Sequence, residues 1–289
     1  MKGRIVKLIS NDYTVLIDGK LYVCKSKGKF RNLNIRPTVG DMVMVDINDK
    51  VIYEVLDRKN ILVRPTVSNI DQAVVVTSVK EPDFSTNLLD KLLVIIEYNN
   101  VLPIICLTKL DLLNEEETKD IFEYIDYYKK IGYQVYLNND PERFKGIFRD
   151  KITVFTGQSG AGKSSLLNIL DDTLDLQTAP ISKALGRGKH TTRHVELLPV
   201  LEGLIADTPG FSAMDFVDME KSDIRDNFIE FNEYRHDCKY KDCMHHLEDH
   251  CSIKDKIKDK TIMKSRYLNY INFISKGWYN ENISVIFIN

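Results

Sequence analysis

Two short nucleotide-binding motifs stand in an unusual order along this chain. Residues 157–164, Gly-Gln-Ser-Gly-Ala-Gly-Lys-Ser, match the phosphate-loop pattern Gly-x4-Gly-Lys-Ser. Residues 108–111, Thr-Lys-Leu-Asp, match a guanine-recognition loop, yet they precede the phosphate loop, and a third motif at 207–210, Asp-Thr-Pro-Gly, follows it. An ordinary small GTPase places the phosphate loop first. The order therefore indicates a circularly permuted nucleotide-binding domain, which is a narrow structural class.

The phosphate loop has a physical reason for each of its special residues. Gly157 and Gly162 permit backbone conformations that a side chain would obstruct, so that the loop N–H groups can surround a β-phosphate at the start of the next helix. Lys163 would reach the β- and γ-phosphates, and the Ser164 hydroxyl would bind Mg²⁺. A β-rich run at 152–155 and an apolar helical run at 165–170 flank the loop. These flanks favour a phosphate site over an ordinary glycine-rich turn.

The earlier motif predicts which base is bound. It follows the apolar run 102–107, which is typical of a buried strand, and loops at the ends of parallel strands are where nucleotides bind. Asp111 can accept hydrogen bonds from N1 and N2 of guanine, whereas adenine has no such pair of donors. The aliphatic part of Lys109 would lie over the purine. The tetrapeptide alone favours a surface turn, but together with a phosphate loop it favours guanine recognition.

The remaining nucleotide motifs concern Mg²⁺ and hydrolysis. Asp207, after the apolar run 204–206, would hold Mg²⁺ through water, and the Gly210 N–H would contact the γ-phosphate. Phe211 stands where many GTPases carry the glutamine that orients the attacking water, so we expect slow intrinsic hydrolysis. The glycine-rich basic stretch 186–194 is predicted to be a second mobile loop, although a solvated basic loop is the alternative. Within it, we hypothesise that His190 orients the water.

Together these motifs predict GTP or GDP with Mg²⁺ as the ligands. The predicted nucleotide-binding residues are Thr108, Lys109, Asp111, Gly157, Gln158, Ser159, Gly160, Ala161, Gly162, Lys163, Ser164, Ser165, Asp207 and Gly210. The predicted Mg²⁺ ligands are Ser164, Thr191, Thr192 and Asp207, and the predicted catalytic residues are Lys163 and His190.

A second signal lies nearer the C-terminus, where cysteines and histidines cluster. Cys238, Cys243, His245 and Cys251 form the pattern Cys-x4-Cys-x-His-x5-Cys. Three thiolates and an imidazole suit tetrahedral Zn²⁺, and four protein ligands leave no position for a substrate, so the pattern predicts a structural zinc site. A disulfide, or thiols that cluster by chance, are the alternatives. A disulfide is disfavoured because the other two cysteines stand alone in the sequence and nothing marks the chain as secreted.

The first sixty or so residues are predicted to form a small β-barrel. Short β-rich runs occupy 5–9, 13–17, 21–24 and 42–45, and Asp18-Gly19 is typical of a tight hairpin. Several short strands without helical periodicity favour an OB-fold. Basic residues crowd the middle of this segment, with Tyr22 and Phe30 interleaved as stacking platforms: Lys20, Lys25, Lys27, Lys29, Arg31 and Arg36. They predict an RNA-binding surface; an ordinary solvated face is the alternative. The predicted RNA-binding residues are Lys25, Lys27, Lys29 and Arg31.

These motifs carry a family resemblance that covers the whole chain. The stretches 27–31, 69–73, 108–111, 157–167, 186–192 and 207–211, with the zinc cluster, resemble the ribosome small subunit-dependent GTPase A (RsgA, or YjeQ) family. The resemblance implies an OB-fold, a permuted GTPase domain and a helical zinc-binding domain. It implies a factor that binds the small ribosomal subunit and its rRNA late in maturation and hydrolyses GTP when the subunit stimulates it. It also favours His245 over His246 and His250 as the fourth zinc ligand.

Two stretches depart from the family pattern. The family's serine-containing loop that backs the guanine is replaced here by 136–140, Tyr-Leu-Asn-Asn-Asp, which makes nucleotide affinity an open question. The apolar C-terminal end, 277–288, has no counterpart that the resemblance explains.

The sequence thus predicts a multidomain protein: an N-terminal OB-fold barrel at 1–64, a permuted α/β P-loop GTPase domain at 65–218, and a mainly α zinc-binding domain at 219–289. The net charge of −2 gives no general attraction to nucleic acid, so RNA binding must rest on local patches. No signal peptide or apolar membrane span is present in the sequence. Reduced thiols, the predicted zinc and the predicted GTP site lead us to expect a cytoplasmic location, and we also expect a monomer. Because Asp207 lies just before the last domain, we expect the nucleotide to set that domain's position. Two other functions compete: an RNA-binding assembly scaffold with a structural nucleotide site, and an ATP-using P-loop enzyme, which Asp111 argues against.

Overall fold

The N-terminal strands close into a five-stranded barrel. The structure, a computed structural model, describes residues 1–28, 30, 36–63, 66–170, 195–207 and 215–276. The barrel strands are β1 (Lys2–Ile9), β2 (Asp12–Ile17), β3 (Lys20–Ser26), β4 (Met42–Asp46) and β5 (Val51–Val55). They pair in the order β1-β2-β3-β5-β4, and β4 pairs again with β1; only the β3–β5 pair is parallel. This is the OB-fold order, which confirms the predicted barrel.

Local sequence explains the barrel's second hairpin, which joins β2 to β3. Asp18 and Gly19 have φ of 48° and 77°, and Ile17 pairs with Lys20 across the turn. Two consecutive positive φ values match the right-handed twist of the flanking strands. Tyr13, Val15 and Ile17 alternate inward along β2, as the period of a half-buried strand requires.

The central unit is a mostly parallel sheet that extends from the barrel. A hairpin, β6 (Ile61–Val63) and β7 (Thr66–Ser68), leads into it. Its strands lie in the order β10-β9-β8-β11-β13-β12, and all are parallel except the β12–β13 pair. One bridge, between Lys7 of β1 and Glu196 of β12, joins this sheet to the barrel. The elements in chain order are β8 (Gln72–Ser78), α1 (Thr86–Tyr98), β9 (Leu102–Thr108), a 3₁₀ turn (Leu110–Leu112), α2 (Glu115–Lys130), β10 (Gln134–Leu137), α3 (Pro141–Lys145), β11 (Ile152–Thr156), α4 (Lys163–Leu170), β12 (Glu196–Val200) and β13 (Gly203–Asp207).

The parallel sheet brings the sequence motifs to one edge. β8 and β11 are buried along their whole length, as expected for central strands covered on both faces. Parallel strands present their carboxyl ends together, and β9, β10, β11 and β13 all lead into segments that the sequence had singled out. The strands predicted before the base loop, the phosphate loop and Asp207 are therefore confirmed.

The C-terminal unit is mainly helical. It contains α5 (Lys221–Asp226), α6 (Phe231–Tyr234), a 3₁₀ turn (Arg235–Asp237), α7 (Ser252–Lys258) and α8 (Lys264–Lys276). Phe228, Phe231, Tyr270 and Phe273 form its aromatic core, and Val94 of α1 belongs to the same apolar cluster. The unit is therefore packed directly against α1 of the central unit. Within the described part of the chain, no helix combines the length and apolar composition needed to cross a bilayer.

Candidate nucleotide site and metal cluster

The phosphate loop connects β11 to α4 and depends on glycine. Gly157 has φ of 126°, and a Cβ built there would lie 1.9 Å from the main-chain oxygen of Val76. No side chain can be placed at that distance, so the loop packs against β8 only because residue 157 is glycine. Gly160 and Gly162 also have positive φ, 79° and 88°. The loop thus has the backbone form in which successive N–H groups make a concave anion site.

Lys163 lies across this loop at the start of α4. Its Nζ donates to the main-chain oxygens of Gly157, at 2.9 Å, and Gln158, at 2.8 Å. Burial lowers the pKa of the Lys163 ammonium from its ordinary value. Ser164 is half-buried in the first turn of α4, and Ser159 and Ser165 are exposed.

The base loop leaves β9 at the same edge and is bonded to the phosphate loop. Thr108, 3% exposed, directs its Oγ1 to the main-chain oxygens of Ala161, at 2.7 Å, and Thr77, at 3.4 Å. Thr108 is the last residue of β9, and Lys109 directly precedes the 3₁₀ turn. Asp111 lies in that turn, and its side chain is exposed. The buried Thr108 hydroxyl therefore connects the base loop to the phosphate loop, which the chain order had separated.

A third loop, between β8 and α1, lies against the base loop and the phosphate loop and was not predicted from the sequence. Lys109 Nζ donates to the main-chain oxygen of Glu81. A Cβ built on Gly160 would lie 3.7 Å from Cδ of Pro82. No nucleotide motif marks residues 79–85; the only local signals are Pro82 and Ser85, whose side chain caps α1 by accepting from Leu88 N at 3.2 Å.

The segment expected to back the guanine follows β10. The Asn138 N–H donates to the Leu107 carbonyl at 3.0 Å, which holds the 136–140 segment beside the end of β9. Asn138 is half-buried and Asn139 is exposed. The departure from the family's serine therefore lies beside the base loop.

The residues predicted for Mg²⁺ binding and hydrolysis lie only partly within the described residues. Asp207 is the last residue of β13, which is parallel to β11, so its backbone lies at the same edge as the phosphate loop. Gly210, His190, Thr191 and Thr192 lie outside the described residues. The roles of these four residues stay predictions.

The four predicted zinc ligands converge in the C-terminal unit. One donor atom from each of Cys238, Cys243, His245 and Cys251 lies within 4.8 Å of the other three. His245 Nδ1 is 3.6 Å from Cys238 Sγ and 3.3 Å from Cys251 Sγ, and these two sulfurs are 4.0 Å apart. A tetrahedron with ordinary Zn–S and Zn–N bonds has edges of about 3.5–3.8 Å. The donor set and spacing therefore fit Zn²⁺, and His245 rather than His246 or His250 belongs to the cluster.

The surroundings of His245 favour its ligand form. Its ring is packed edge-on to Phe231 at 5.7 Å, and its carbonyl accepts from the Tyr267 hydroxyl at 2.8 Å. Burial lowers the pKa of His245 to about 4, so that the imidazole is neutral at pH 7. Burial also raises the pKa of the Cys251 thiol to about 12, and a bound cation would offset that cost by stabilising the thiolate.

Two of the four predicted RNA-binding residues lie in the described part of the barrel. Lys25 and Lys27 are exposed; Lys25 Nζ pairs with Asp12 at 2.6 Å, and Lys27 Nζ lies 5.8 Å from the centre of the Tyr53 ring. Phe30 is only 4% exposed and belongs to the barrel core, so the prediction that it is a stacking platform is wrong. Lys29 and Arg31 lie outside the described residues.

Comparisons with known families decide the classification. Residues 55–217 match the family model described as RsgA GTPase, and residues 2–51 match the RsgA N-terminal domain. The chain belongs to the RsgA GTPase family. A relative from Oceanobacillus iheyensis, the small ribosomal subunit biogenesis GTPase RsgA 2, is 49% identical over 95% of this chain and 97% of its own length. The RsgA of Enterococcus faecalis is 48% identical over 95% and 94%.

Solved structures agree with the RsgA assignment. The crystal structure of YloQ, a circularly permuted GTPase, matches with a TM-score of 0.82 at 36% identity over 98% of this chain and 96% of that one. YjeQ from Thermotoga maritima matches with a TM-score of 0.82 at 33% identity over 95% and 97%. The predicted class is confirmed: this RsgA family member is a circularly permuted P-loop GTPase with an N-terminal barrel and a C-terminal unit that carries a Cys₃His cluster.

Proposed function

We propose that this chain is a GTPase that binds the small ribosomal subunit, acts late in its maturation and hydrolyses GTP when the subunit stimulates it. The names of its relatives, small ribosomal subunit biogenesis GTPases, support the assembly role. The observation that carries the proposal is the Thr108–Ala161 hydrogen bond, because it joins a guanine-type loop to a phosphate loop in one site. rRNA contact, a monomeric state and a cytoplasmic location are parts of the same proposal.

The nucleotide would be held by the residues named from the sequence. The N–H groups of 157–165 would surround the phosphates, and Lys163 would exchange its two carbonyl acceptors for β- and γ-phosphate oxygens and so stabilise negative charge during transfer. Asp111 would accept from guanine N1 and N2, with the Lys109 stem over the ring. The Gly210 N–H would contact the γ-phosphate.

Mg²⁺ and the attacking water complete the proposed reaction site. Ser164, Thr191 or Thr192, and Asp207 through water would hold Mg²⁺, which when bound neutralises charge on the phosphates. His190 would orient the water, since Phe211 has no group that could do so. A partner that positions His190 against the attacking water would account for stimulation by the subunit.

The two flanking units would serve binding. Cys238, Cys243, His245 and Cys251 would hold one Zn²⁺ that closes the 238–251 loop and has no part in hydrolysis, since the four ligands fill its coordination sphere. Lys25 and Lys27, with Lys29 and Arg31, would contact the rRNA backbone.

The test is GTP hydrolysis by the purified protein alone, with small ribosomal subunits, and with large subunits as a control. Strong stimulation by small subunits only is expected, and Lys163→Ala should abolish it. Firm GTP binding without stimulated turnover would instead favour a scaffold with a structural nucleotide site. Competition of bound GTP by ATP would favour an ATP-using enzyme.

A further inference from the structure

A buried ionic cluster joins the C-terminal unit to α1. Arg266 of α8 is fully buried; its Nε and Nη2 donate to the two oxygens of Glu230, both at 2.7 Å, and its Nη1 donates to Asp90 Oδ1 at 2.8 Å. Asp90 lies on α1 and is 0% exposed. Tyr128 of α2 also donates to Asp90. An ion pair of this kind fixes geometry, because removing one member leaves an unpaired charge in the interior.

The same helix also holds the first turn of α1. Asn269 Nδ2 donates to Asp90 Oδ2 at 2.6 Å and lies 3.2 Å from Thr86 Oγ1, while Asn269 Oδ1 accepts from Asn87 at 3.1 Å. Thr86 and Asn87 are the first two residues of α1, directly after its cap, Ser85. Asn269 is 9% exposed, and its bond with Asp90 is shielded from water, while those with Thr86 and Asn87 are part-buried.

That first turn continues into the loop that lies against the nucleotide site. Ahead of Ser85, Glu81 accepts from Lys109 of the base loop, and Pro82 lies beside Gly160 of the phosphate loop. Only a few residues of chain therefore separate the α8 contacts at Thr86 and Asn87 from the contacts with both nucleotide loops.

We propose that Asn269 and Arg266 are positioning residues for the guanine-nucleotide pocket, acting through the first turn of α1 and the Glu81–Pro82 loop on Lys109 and Gly160. The inference rests on the nucleotide site proposed above. It makes the C-terminal unit part of the pocket's support, by a route distinct from the expected one through Asp207. Because the coupling free energy between two sites is the same in both directions, bound nucleotide in turn stabilises the packing of α8 on α1.

The first test is the affinity for a fluorescent GDP analogue. Asn269→Ala removes the hydrogen bonds of Asn269 with Thr86, Asn87 and Asp90 but keeps the Arg266 ion pairs. The variant is therefore expected to fold, and a circular-dichroism melt checks this. Its Kd is expected to rise about 3- to 30-fold. Leu268→Ala, at the neighbouring and 54% exposed position of α8, is the matched control and is expected to leave Kd unchanged.

A double-mutant cycle separates positioning from general loss of stability. If Asn269 acts on the pocket through Lys109, Asn269→Ala should raise Kd much less in a Lys109→Ala background than in the wild type. Equal effects in both backgrounds, or an Asn269→Ala variant with wild-type Kd, would overturn the inference while leaving the proposed nucleotide site intact. A wild-type protein that fails to bind GDP would overturn the proposed function, and this inference with it.

Hydrogen exchange tests whether bound nucleotide stabilises α8, and it needs no measurement of GTP hydrolysis. GDP is expected to slow exchange in 264–275 of wild type more than in the barrel strands β4 and β5, which serve as the internal reference, and Asn269→Ala should remove that excess. GDP protection of 157–170 with no excess protection of α8 would also overturn the inference.

Discussion

The hydroxyl of Thr108 offers the sharpest test of how the site is assembled. Thr108→Val keeps the shape of the side chain and removes the hydroxyl that donates from the base loop to the Ala161 carbonyl at 2.7 Å. Both Thr108 and Ala161 are buried, at 3% and 0% exposure, so water cannot readily replace the bond. Losing the bond and leaving a buried acceptor unpaired costs about 1–3 kcal/mol of unfolding free energy.

The same free energy bounds the effect on nucleotide binding. In the wild type, folding already fixes the two loops relative to each other, whereas in the variant the ligand must order them as it binds. If the whole 1–3 kcal/mol is lost from the free energy of nucleotide binding, Kd rises about 5- to 150-fold, since 1.4 kcal/mol corresponds to a tenfold change in Kd. Urea unfolding and titration of a fluorescent GDP analogue measure the two quantities separately.

Thr77→Val is the matched control for Thr108→Val. Thr77 is 8% exposed on the adjacent strand β8, and in the described part of the chain its hydroxyl makes no bond to the phosphate loop. We expect little change in Kd for this variant. A Thr108→Val protein that loses 1–3 kcal/mol of stability yet binds GDP with wild-type Kd would refute the reasoning, because the loops would then keep their register without the hydroxyl.

Two further predictions concern backbone form and metal. Gly157→Ala places a Cβ 1.9 Å from the Val76 oxygen at a residue with φ of 126°, so GDP binding should be lost in titrations. The control Gly146→Ala, at a residue with φ of −64° and open space around it, should bind GDP normally. Near-normal binding by Gly157→Ala would contradict the phosphate-loop geometry. Cys243→Ser should lower the zinc content from one per chain towards none and weaken the C-terminal helices in circular dichroism, whereas Cys24→Ala should keep the metal; unchanged zinc in Cys243→Ser would remove that residue from the ligand set.

The features that sequence predicted are those with local physical causes. The run 152–155 became β11 because an apolar, β-branched segment leads into a loop that needs glycine, and the Asp18-Gly19 hairpin follows from residues that tolerate positive φ. The Cys₃His cluster was also predictable, since its residues lie within fourteen residues of sequence and their types are those that Zn²⁺ prefers.

The features that sequence did not predict depend on contacts between distant segments. Residues 79–85 carry no nucleotide motif, and they join the site only because parallel β8 ends between β9 and β11. Arg266 and Asp90 are far apart in the chain, and a buried charge pair has no local signature. Phe30 was misassigned because aromatic residues among lysines are equally typical of a stacking surface and of a core residue in a short, irregular segment.

The boundary between barrel and GTPase domain shows how such long-range contacts can be used. The boundary predicted at residue 64 falls within the β6–β7 hairpin. Residues 66–70 bond mainly to the barrel side: Ser68 Oγ donates to buried Asp41 at 2.6 Å, Ser68 N to the Val39 carbonyl at 2.9 Å, and Ile70 N to Asn60 Oδ1 at 2.9 Å. From Asp71 onwards the chain bonds to β11, where Asp71 N donates to the Ile152 carbonyl at 3.0 Å.

A barrel fragment that ends at 70 should therefore be more stable than one that ends at 64. If only two of these bonds persist in the fragment, at roughly 1 kcal/mol each, the longer fragment should melt about 8–16 °C higher, since 1 kcal/mol shifts the Tm of a domain this small by about 4–8 °C. Ser68→Ala in the 1–70 fragment, which removes the hydroxyl that donates to Asp41, should lower its Tm and so remove part of the difference. Equal melting temperatures for the two fragments would instead place residues 66–70 with the GTPase domain and support the boundary at 64, because the hairpin would then contribute nothing to the barrel on its own.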